Sequence, residues 1–440
     1  MSVFRAYDVR GVYGKELTEK LVEDIGRAYA TYLNADTAFV GMDGRLSSPL
    51  LKNAFIKGLN DTGCDAIDIG LVPTPVLYFS AAFYNKIAAA MITASHNPKE
   101  YNGVKLCRGL RTLGGEELKK IERIIKENAF RIGAGKIEKK EVLPDYIDYL
   151  SSKFEFEGLK IVIDAMNGVG ALALEPILKR LGNDVIVLNG EPDGNFPKGD
   201  PNPDIEERLS ELKETVIREN ADIGVATDGD ADRVVFVDDK GRILSGTQSS
   251  MLFIKDVLAK QKGKVVFDIM ASELIRKTIE SSGGVAMISP TGHTNIRRIL
   301  FDYNAVFAAE ASGHYFFHDD YFGYDDGIYA ALRMAEIVAM KGSLSKLVSE
   351  LPSWYPIKAN IHCPEEKKEM VVVKLKQIYN DWNPITIDGV RVSGKGGWFA
   401  IRPSNTEDTI RIKGEFDSKE SAEKMLSELK AVVEKLIKEN

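Results

Sequence analysis

Asp228-Gly229-Asp230-Ala231-Asp232 places three aspartates at alternate positions with small residues between them, and Arg233 follows at once. In an extended loop, side chains two residues apart turn to the same side. The three carboxylates then form an all-oxygen site suited to a hard divalent cation such as Mg2+. Without a cation, the crowding is repulsive. A calcium-binding hand fits poorly, because its sixth position would be Arg233 instead of Gly and its twelfth Asp239 instead of Glu. The plain alternative is a solvated acidic turn, and the apolar run Ile223-Gly224-Val225-Ala226 feeding the loop argues against it.

A second stretch, Thr93-Ala94-Ser95-His96-Asn97-Pro98, leads into Tyr101-Asn102-Gly103-Val104-Lys105. The apolar run 87–92 before it reads as a buried strand, so Ser95 sits at a strand's exit, with Pro98 and Gly103 keeping the following loop irregular. A serine presented there can act as a nucleophile, and a neighbouring His, Asn and Lys can steady an anionic oxygen on it. The same residues also suit an ordinary Ser-Asn-Pro turn.

Further chemistry lies in four other places. Phe4 to Val12 alternates like an edge strand ending in a glycine turn, with Tyr7 and Arg10 near its mouth. Ser289-Pro290-Thr291-Gly292-His293 follows one strand. Another runs into Glu310-Ala311-Ser312-Gly313-His314, where Glu310 and Ser312 offer acceptors to adjacent ligand hydroxyls and His314 can move a proton. A lone histidine is more often a hydrogen-bonded core residue, and that reading stands for His318. Arg402-Pro403-Ser404-Asn405-Thr406-Glu407 is a tight polar turn whose N–H groups, hydroxyls and guanidinium can surround a phosphate dianion, with Arg411 on the returning strand.

These loops need elements to position them. A strand ending in Asp, a helix, a glycine and a returning strand recur from Ala38, from Lys160 and from Lys264. That is the pattern of a right-handed parallel crossover, with ligand sites at the strands' carboxyl ends. Three similar α/β domains with mixed sheets around a central cleft are expected. After a linker at 351–357 the pattern changes to α+β, with Asp417 and Glu420 as a capping box for a last helix. The expected domains are 1–150 with the serine loop, 151–250 with the acidic loop, 251–354 with the Glu-Ser loop, and 355–440 with the phosphate turn.

The 440 residues are 44% hydrophobic and 28% charged, without an apolar run long enough to span a bilayer, so a soluble chain is expected. The amino terminus lacks a signal-like pattern, which points to the cytoplasm. A net charge of −7 argues against nucleic acid or membrane as the main partner, and it requires a local basic pocket for any anionic ligand. Cys64, Cys107 and Cys363 have no metal-like spacing and read as idle thiols.

Taken together, 93–98 with Asn102-Gly103-Val104-Lys105, the 228–233 loop and the opening segment 4–11 resemble the phosphoserine loop, metal loop and start of the α-D-phosphohexomutase superfamily. The similarity is greatest to its phosphomannomutase/phosphoglucomutase branch and extends over nearly the whole chain. The resemblance implies an isomerase that moves a phosphoryl group between the 1- and 6-positions of a hexose. It implies a phosphoserine at Ser95 that also touches Mg2+ held by Asp228, Asp230 and Asp232, and a hexose 1,6-bisphosphate as intermediate and activator. It implies that Arg10, Lys105 and Arg233 stabilise the reacting end while His96 and Asn97 shape the serine loop. Tyr7, His293, Glu310 and Ser312 would bind the sugar, and Arg402, Ser404, Asn405, Thr406 and Arg411 the phosphate not being transferred. Lys105, His293 and His314 are the candidates for general base.

Met270 and Pro290 depart from this pattern, since relatives often carry lysine at both places, and sugar preference stays open. A phosphoglucosamine mutase, a metal-dependent sugar phosphatase and a non-catalytic sugar-phosphate sensor are the alternatives. The expected partners are small sugar phosphates, and the oligomeric state is not fixed by the sequence.

Overall fold

Five apolar residues in a row, Ala88–Ile92, are all buried and form an inner strand of the first sheet. The computed structural model describes residues 3–5, 8–394, 396–404 and 408–439. Ala88–Ile92 pairs in parallel with Thr37–Met42 and antiparallel with Tyr101–Arg108. Asp65–Leu71 and Ile137–Lys139 extend the parallel side, and Val9–Val12 runs antiparallel along Tyr101–Arg108.

Residues 101–105, expected as irregular loop, are therefore strand. Gly103 does not break it; a Cβ there would lie 2.4 Å from Val9 O and 2.8 Å from Thr93 O, so glycine permits a close backbone approach. The register sets Lys105 opposite Met91 and Arg10 opposite Gly103. One sheet thus carries both basic residues to the serine loop.

The second sheet has the order Val234–Asp238, Ile223–Thr227, Lys160–Asp164, Asp184–Leu188. It is parallel except for the first pair, in which Thr227 faces Val234. The acidic loop is the connection of that antiparallel pair. Helix Gly327–Lys341 begins against it: Gly327 N donates to Ala231 O at 3.2 Å.

The chain divides into two compact units, one of residues 1–249 and 312–349, the other of 250–311 and 350–440. In the second unit Lys264–Asp268 pairs in parallel with Val285–Ser289 and with Phe307–Ala309. An antiparallel sheet in the order Tyr355–His362, Thr409–Phe416, Gly397–Pro403, Val390–Gly394 packs with helices Glu365–Ile378 and Lys419–Lys438 around a common core. The expected linker at 351–357 already contains the start of Tyr355–His362. This is an edge strand, where Pro356 costs no interior ladder bond. Ser418 caps the last helix in place of Asp417, its hydroxyl accepting from Ser421 N at 3.2 Å. Buried Arg391 donates to Ile269 O and Ala271 O, both at 2.7 Å, and to Glu273 at 2.9 Å. Its guanidinium carbon lies 4.1 Å from the Trp398 ring centre.

In the first unit, helix Leu143–Ser151 and the segment 321–329 meet through aromatic rings and one carboxylate. Buried Asp326 accepts from Tyr146 Oη and Tyr321 Oη, each at 2.8 Å, and from Tyr329 N at 2.8 Å as the cap of helix Gly327–Lys341. Burial pushes its pKa from 3.8 up to about 6, and the three hydrogen bonds only partly oppose this. Between these values the folded chain holds a proton that the unfolded chain releases. The contribution is therefore full below about pH 4 and lost as pH rises through about 6. Asp326→Asn keeps the cap and removes the titration. Its stability relative to the unmodified chain, measured by urea unfolding, should rise by about 2–3 kcal/mol between pH 4 and pH 7. Parallel curves would contradict the assignment.

Candidate active site

Ser95 closes the gap between the first two sheets. Its hydroxyl donates to Asp228 Oδ2 at 2.6 Å and lies 3.0 Å from His96 Nδ1. Both loops join antiparallel strands, Ala88–Ile92 to Tyr101–Arg108 and Ile223–Thr227 to Val234–Asp238, so each turns back at its sheet's end. Their backbones touch, for a Cβ on Gly229 would fall 2.6 Å from Ser95 O. Ser95 itself has φ +53°, a left-handed conformation costing a non-glycine residue about 1–3 kcal/mol.

Asp228, Asp230 and Asp232 are all buried, with a carboxylate oxygen from each within 4.8 Å of the others. Lys105 Nζ donates to Asp230 at 2.6 Å and also to Asp232, and Thr74 Oγ1 donates to Asp230 at 2.6 Å. Burial and repulsion from Asp230 and Asp232 hold the Asp228 carboxyl well above its usual range. Burial also pushes Asp232 up, but Lys105, His314 and Arg233 outweigh it and hold this group well below. Burial alone would favour a neutral Lys105, yet Asp230 and Asp232 keep it an ammonium.

The donor set fits a hard divalent cation. Asp230 Oδ1 and Asp232 Oδ1 are buried oxygens that accept no hydrogen bond among the described residues, and three carboxylates with a serine hydroxyl make an all-oxygen group.

Cations and imidazoles surround this core. Arg10 donates to Asn97 Oδ1 at 2.6 Å and pairs with Asp8 at 2.5 Å. Arg233 N donates to Asp228 Oδ1 at 3.2 Å, and its Nε donates to His314 Nε2 at 3.4 Å. That bond assigns the His314 proton to Nδ1, 3.0 Å from Ser312 Oγ. His314 Nε2 is also 3.4 Å from Asp232 Oδ1. Burial, with Arg233 and Arg10 nearby, lowers His96 well below the usual histidine range and keeps it neutral beside Ser95.

The remaining candidates belong to the second unit. Gly292 N donates to Glu310 Oε1 at 3.0 Å, and His293 is the first residue of helix His293–Asp302. Glu310 raises the buried Asp268 carboxyl, after desolvation the largest influence on it, while Lys413 opposes. Arg402 and Arg411 face each other across neighbouring strands, and Ser404 N donates to Thr409 O at 2.8 Å. Tyr7, Asn405 and Thr406 lie outside the described residues.

Thr74, Asp8 and the pair Asp43/Arg45 also belong to the site and were not anticipated from sequence. The signal for Thr74 was a polar residue opening the otherwise apolar helix Thr74–Phe83. For Asp43 and Arg45 it was a charged Asp-Gly-Arg where a strand with a buried apolar centre ends.

A serine hydroxyl thus lies 2.6 Å from one of three clustered carboxylates, at the ends of two α/β sheets. Family models described as phosphoglucomutase/phosphomannomutase α/β/α domains I, II and III and C-terminal domain match residues 1–132, 144–241, 245–355 and 359–432. A phosphomannomutase/phosphoglucomutase of Pseudomonas aeruginosa is 38% identical, covering 98% of this chain and 96% of that protein. A probable phosphoglucosamine mutase of Methanothermobacter thermautotrophicus is 37% identical over 99% of this chain and 98% of its own length. A solved phosphoglucomutase/phosphomannomutase family protein from Burkholderia thailandensis superposes with TM-score 0.93 at 31% identity, over 99% of this chain and 97% of that one. The chain belongs to the phosphoglucomutase/phosphomannomutase family. It is an isomerase with hexose phosphate mutase activity.

Replacing Lys105 by Met leaves the carboxylates without their internal counter-ion. The metal-free chain should lose about 3–5 kcal/mol. Added Mg2+ should therefore raise the melting temperature of Lys105→Met by several degrees more than that of the unmodified chain. Equal Mg2+ shifts in thermal scans of the two would show that Lys105 is not the counter-ion.

Proposed function

We propose that this chain interconverts the 1- and 6-phosphates of mannose and glucose through a phosphoserine at Ser95 and a hexose 1,6-bisphosphate. The observation that carries the reading is Ser95 Oγ at 2.6 Å from Asp228, within a loop whose three carboxylates suit Mg2+. Asp228, Asp230 and Asp232 would hold that ion, which would neutralise charge on the phosphoryl group in transfer.

In the first half-reaction the phosphoryl group leaves Ser95 Oγ for the free hydroxyl of the sugar phosphate. One O–P bond breaks at the serine, one forms at the sugar, the sugar's hydroxyl proton passes to a base, and the serine oxygen takes up a proton; the return transfer runs the same exchange in reverse. The bisphosphate then turns end for end, and its other phosphoryl group returns to Ser95. Arg10 and Arg233 supply fixed positive charge at the reacting end, and Lys105 acts there as an ammonium. Neutral His96, 3.0 Å from Ser95 Oγ, orients the hydroxyl without adding charge. His314, its tautomer set by Arg233, is the base candidate in the first unit, and His293 the candidate in the second. Glu310 and Ser312 grip sugar hydroxyls. Arg402, Ser404 and Arg411, with Tyr7, Asn405 and Thr406, bind the sugar and its spectator phosphate. The domains 1–150, 151–250, 251–354 and 355–440 would each contribute one loop.

The relative described as a probable phosphoglucosamine mutase supports a second reading, in which an amino sugar is preferred. Coupled assays with mannose, glucose and glucosamine 1-phosphates, with and without bisphosphate activator, rank these sugars. Intact-mass measurement of the isolated chain should show one phosphoryl group that Ser95→Ala lacks, and Ser95→Ala should lose activity at least roughly a thousandfold. Full activity in Ser95→Ala excludes the mechanism. Release of free phosphate at the mutase rate would instead make the chain a phosphatase.

A further inference from the structure

Arg45 is wholly buried, and each of its five N–H donors has an acceptor. Nε donates to Asp43 Oδ2 at 3.1 Å. Nη1 donates to Pro98 O at 2.7 Å and Tyr101 O at 3.0 Å. Nη2 donates to Ser95 O and Asn97 O, both at 2.7 Å. Three of the five acceptors are backbone carbonyls of the loop that carries Ser95, and a fourth, Tyr101 O, opens the strand that follows it. The planar guanidinium fork spans them at once, which an ammonium on a flexible stem cannot do.

The other side of Ser95 is tied to the same pair. Ser95 N donates to Thr93 Oγ1 at 2.8 Å, and Thr93 Oγ1 donates to Asp43 Oδ2 at 2.7 Å. Ser48 Oγ donates to Asp43 Oδ1 at 2.6 Å, so the carboxylate is itself fixed. Ser95 is thus gripped at its N–H through Thr93 and at its carbonyl by Arg45. This is the residue whose φ of +53° would relax if the grip were lost. From the second domain, the Phe196 ring lies over the guanidinium, its centre 5.2 Å from the Arg45 central carbon. Phe196 sits on the loop between Asp184–Leu188 and the short 3-10 helix Glu206–Leu209; Pro201 of that loop approaches Gly229, where a Cβ would lie 3.1 Å from it. One side chain therefore ties the serine loop to the domain that carries the carboxylates.

We infer that Arg45 is a positioning residue for phosphoryl transfer: clamped by Asp43 and Phe196, it holds the Ser95 loop in the strained conformation that aims Oγ at Asp228. It contacts no reacting atom. The inference rests on the proposed transfer through Ser95 and adds the device that keeps that serine in register.

Arg45→Lys keeps the charge and loses the fork. It should lower kcat by about a hundredfold, the scale of an ångström-sized misplacement of a reacting group, while KM for the hexose phosphate stays within about twofold. Amide hydrogen exchange should quicken in peptides covering 93–103 and stay unchanged in the C-terminal domain. Phe196→Leu, which removes only the ring over the guanidinium, should lower kcat several-fold in the same direction, with KM unaltered. A kcat within threefold of the unmodified chain in Arg45→Lys, or slower turnover without faster exchange at 93–103, overturns the inference. Should Arg45→Lys fail to fold, Phe196→Leu decides, and unchanged kcat and exchange there overturn it. The unmodified chain and Ser95→Ala run alongside separate the two claims. An inactive unmodified chain, or an active Ser95→Ala, refutes the transfer mechanism, whereas the exchange data judge the clamp by themselves.

Discussion

Like charges in a dry loop are the constraint around which the first unit is arranged. Carboxylate oxygens of Asp228, Asp230 and Asp232 lie within 4.8 Å of one another. At an effective dielectric near 20, each ionised pair repels by about 3–4 kcal/mol, so three together would rival the whole margin of stability. The loop survives because cations and donors converge on it. The Lys105 ammonium spans Asp230 and Asp232, the Thr74 hydroxyl bonds Asp230, and the backbone N–H of Arg233 reaches Asp228. Asp228 has no cationic side chain bonded to it among these contacts, and it is the carboxyl raised well above its ordinary range. That is the group to which Ser95 donates.

Strand pairing makes the convergence possible. Lys105 lies within a strand whose register is fixed opposite Met91, so its side chain is delivered to the acidic loop by sheet geometry instead of by a mobile loop. The acidic loop is delivered in the same manner, since Thr227 and Val234 are paired immediately on either side of it. Glycines fit where the backbones meet. Gly229 touches Ser95 O, and Gly327 opens a helix against Ala231 O, positions where a Cβ would fall within 3 Å of backbone oxygen. The positive end of helix Gly327–Lys341 thereby adds to the favourable field at the loop.

Much of this was legible in the sequence, and the exceptions have physical causes. Lys160–Asp164 coincides with the strand read from Lys160, because a buried parallel strand is a continuous apolar segment, and the half-buried edge strand Asp184–Leu188 is the returning strand of that unit, marked by its β-branched Val-Ile-Val run. Tyr101–Arg108 was misread at its start because Asn102 and Gly103 are turn formers in isolation. Here Asn102 instead receives a buried role, donating to Ser47 and Ser48 hydroxyls, and tertiary contact overrides local propensity. Ser95, Lys105 and the aspartates announced themselves by type and spacing. Arg45 did not, since a buried arginine that bonds backbone carbonyls leaves no periodic trace, and its acceptors lie some fifty residues further on.

The chain's net charge of −7 sharpens the meaning of these contacts. A sugar phosphate dianion approaching such a surface is repelled at long range, but that field is screened beyond about 8–10 Å at physiological salt. Inside that distance only fixed local charge matters. Arg10 is braced by Asp8 and Asn97, Arg233 by its backbone bond to Asp228 and its contact with His314, and both add to the burial that keeps His96 neutral. Because the one Ser95 hydroxyl proton goes to Asp228, His96 Nδ1 is left to donate to Ser95 Oγ, which a neutral ring does without adding a buried charge there. The two arginines therefore do more than attract the ligand. Together with burial they hold His96 neutral while supplying the positive field themselves, which separates the task of binding a dianion from that of orienting the serine oxygen.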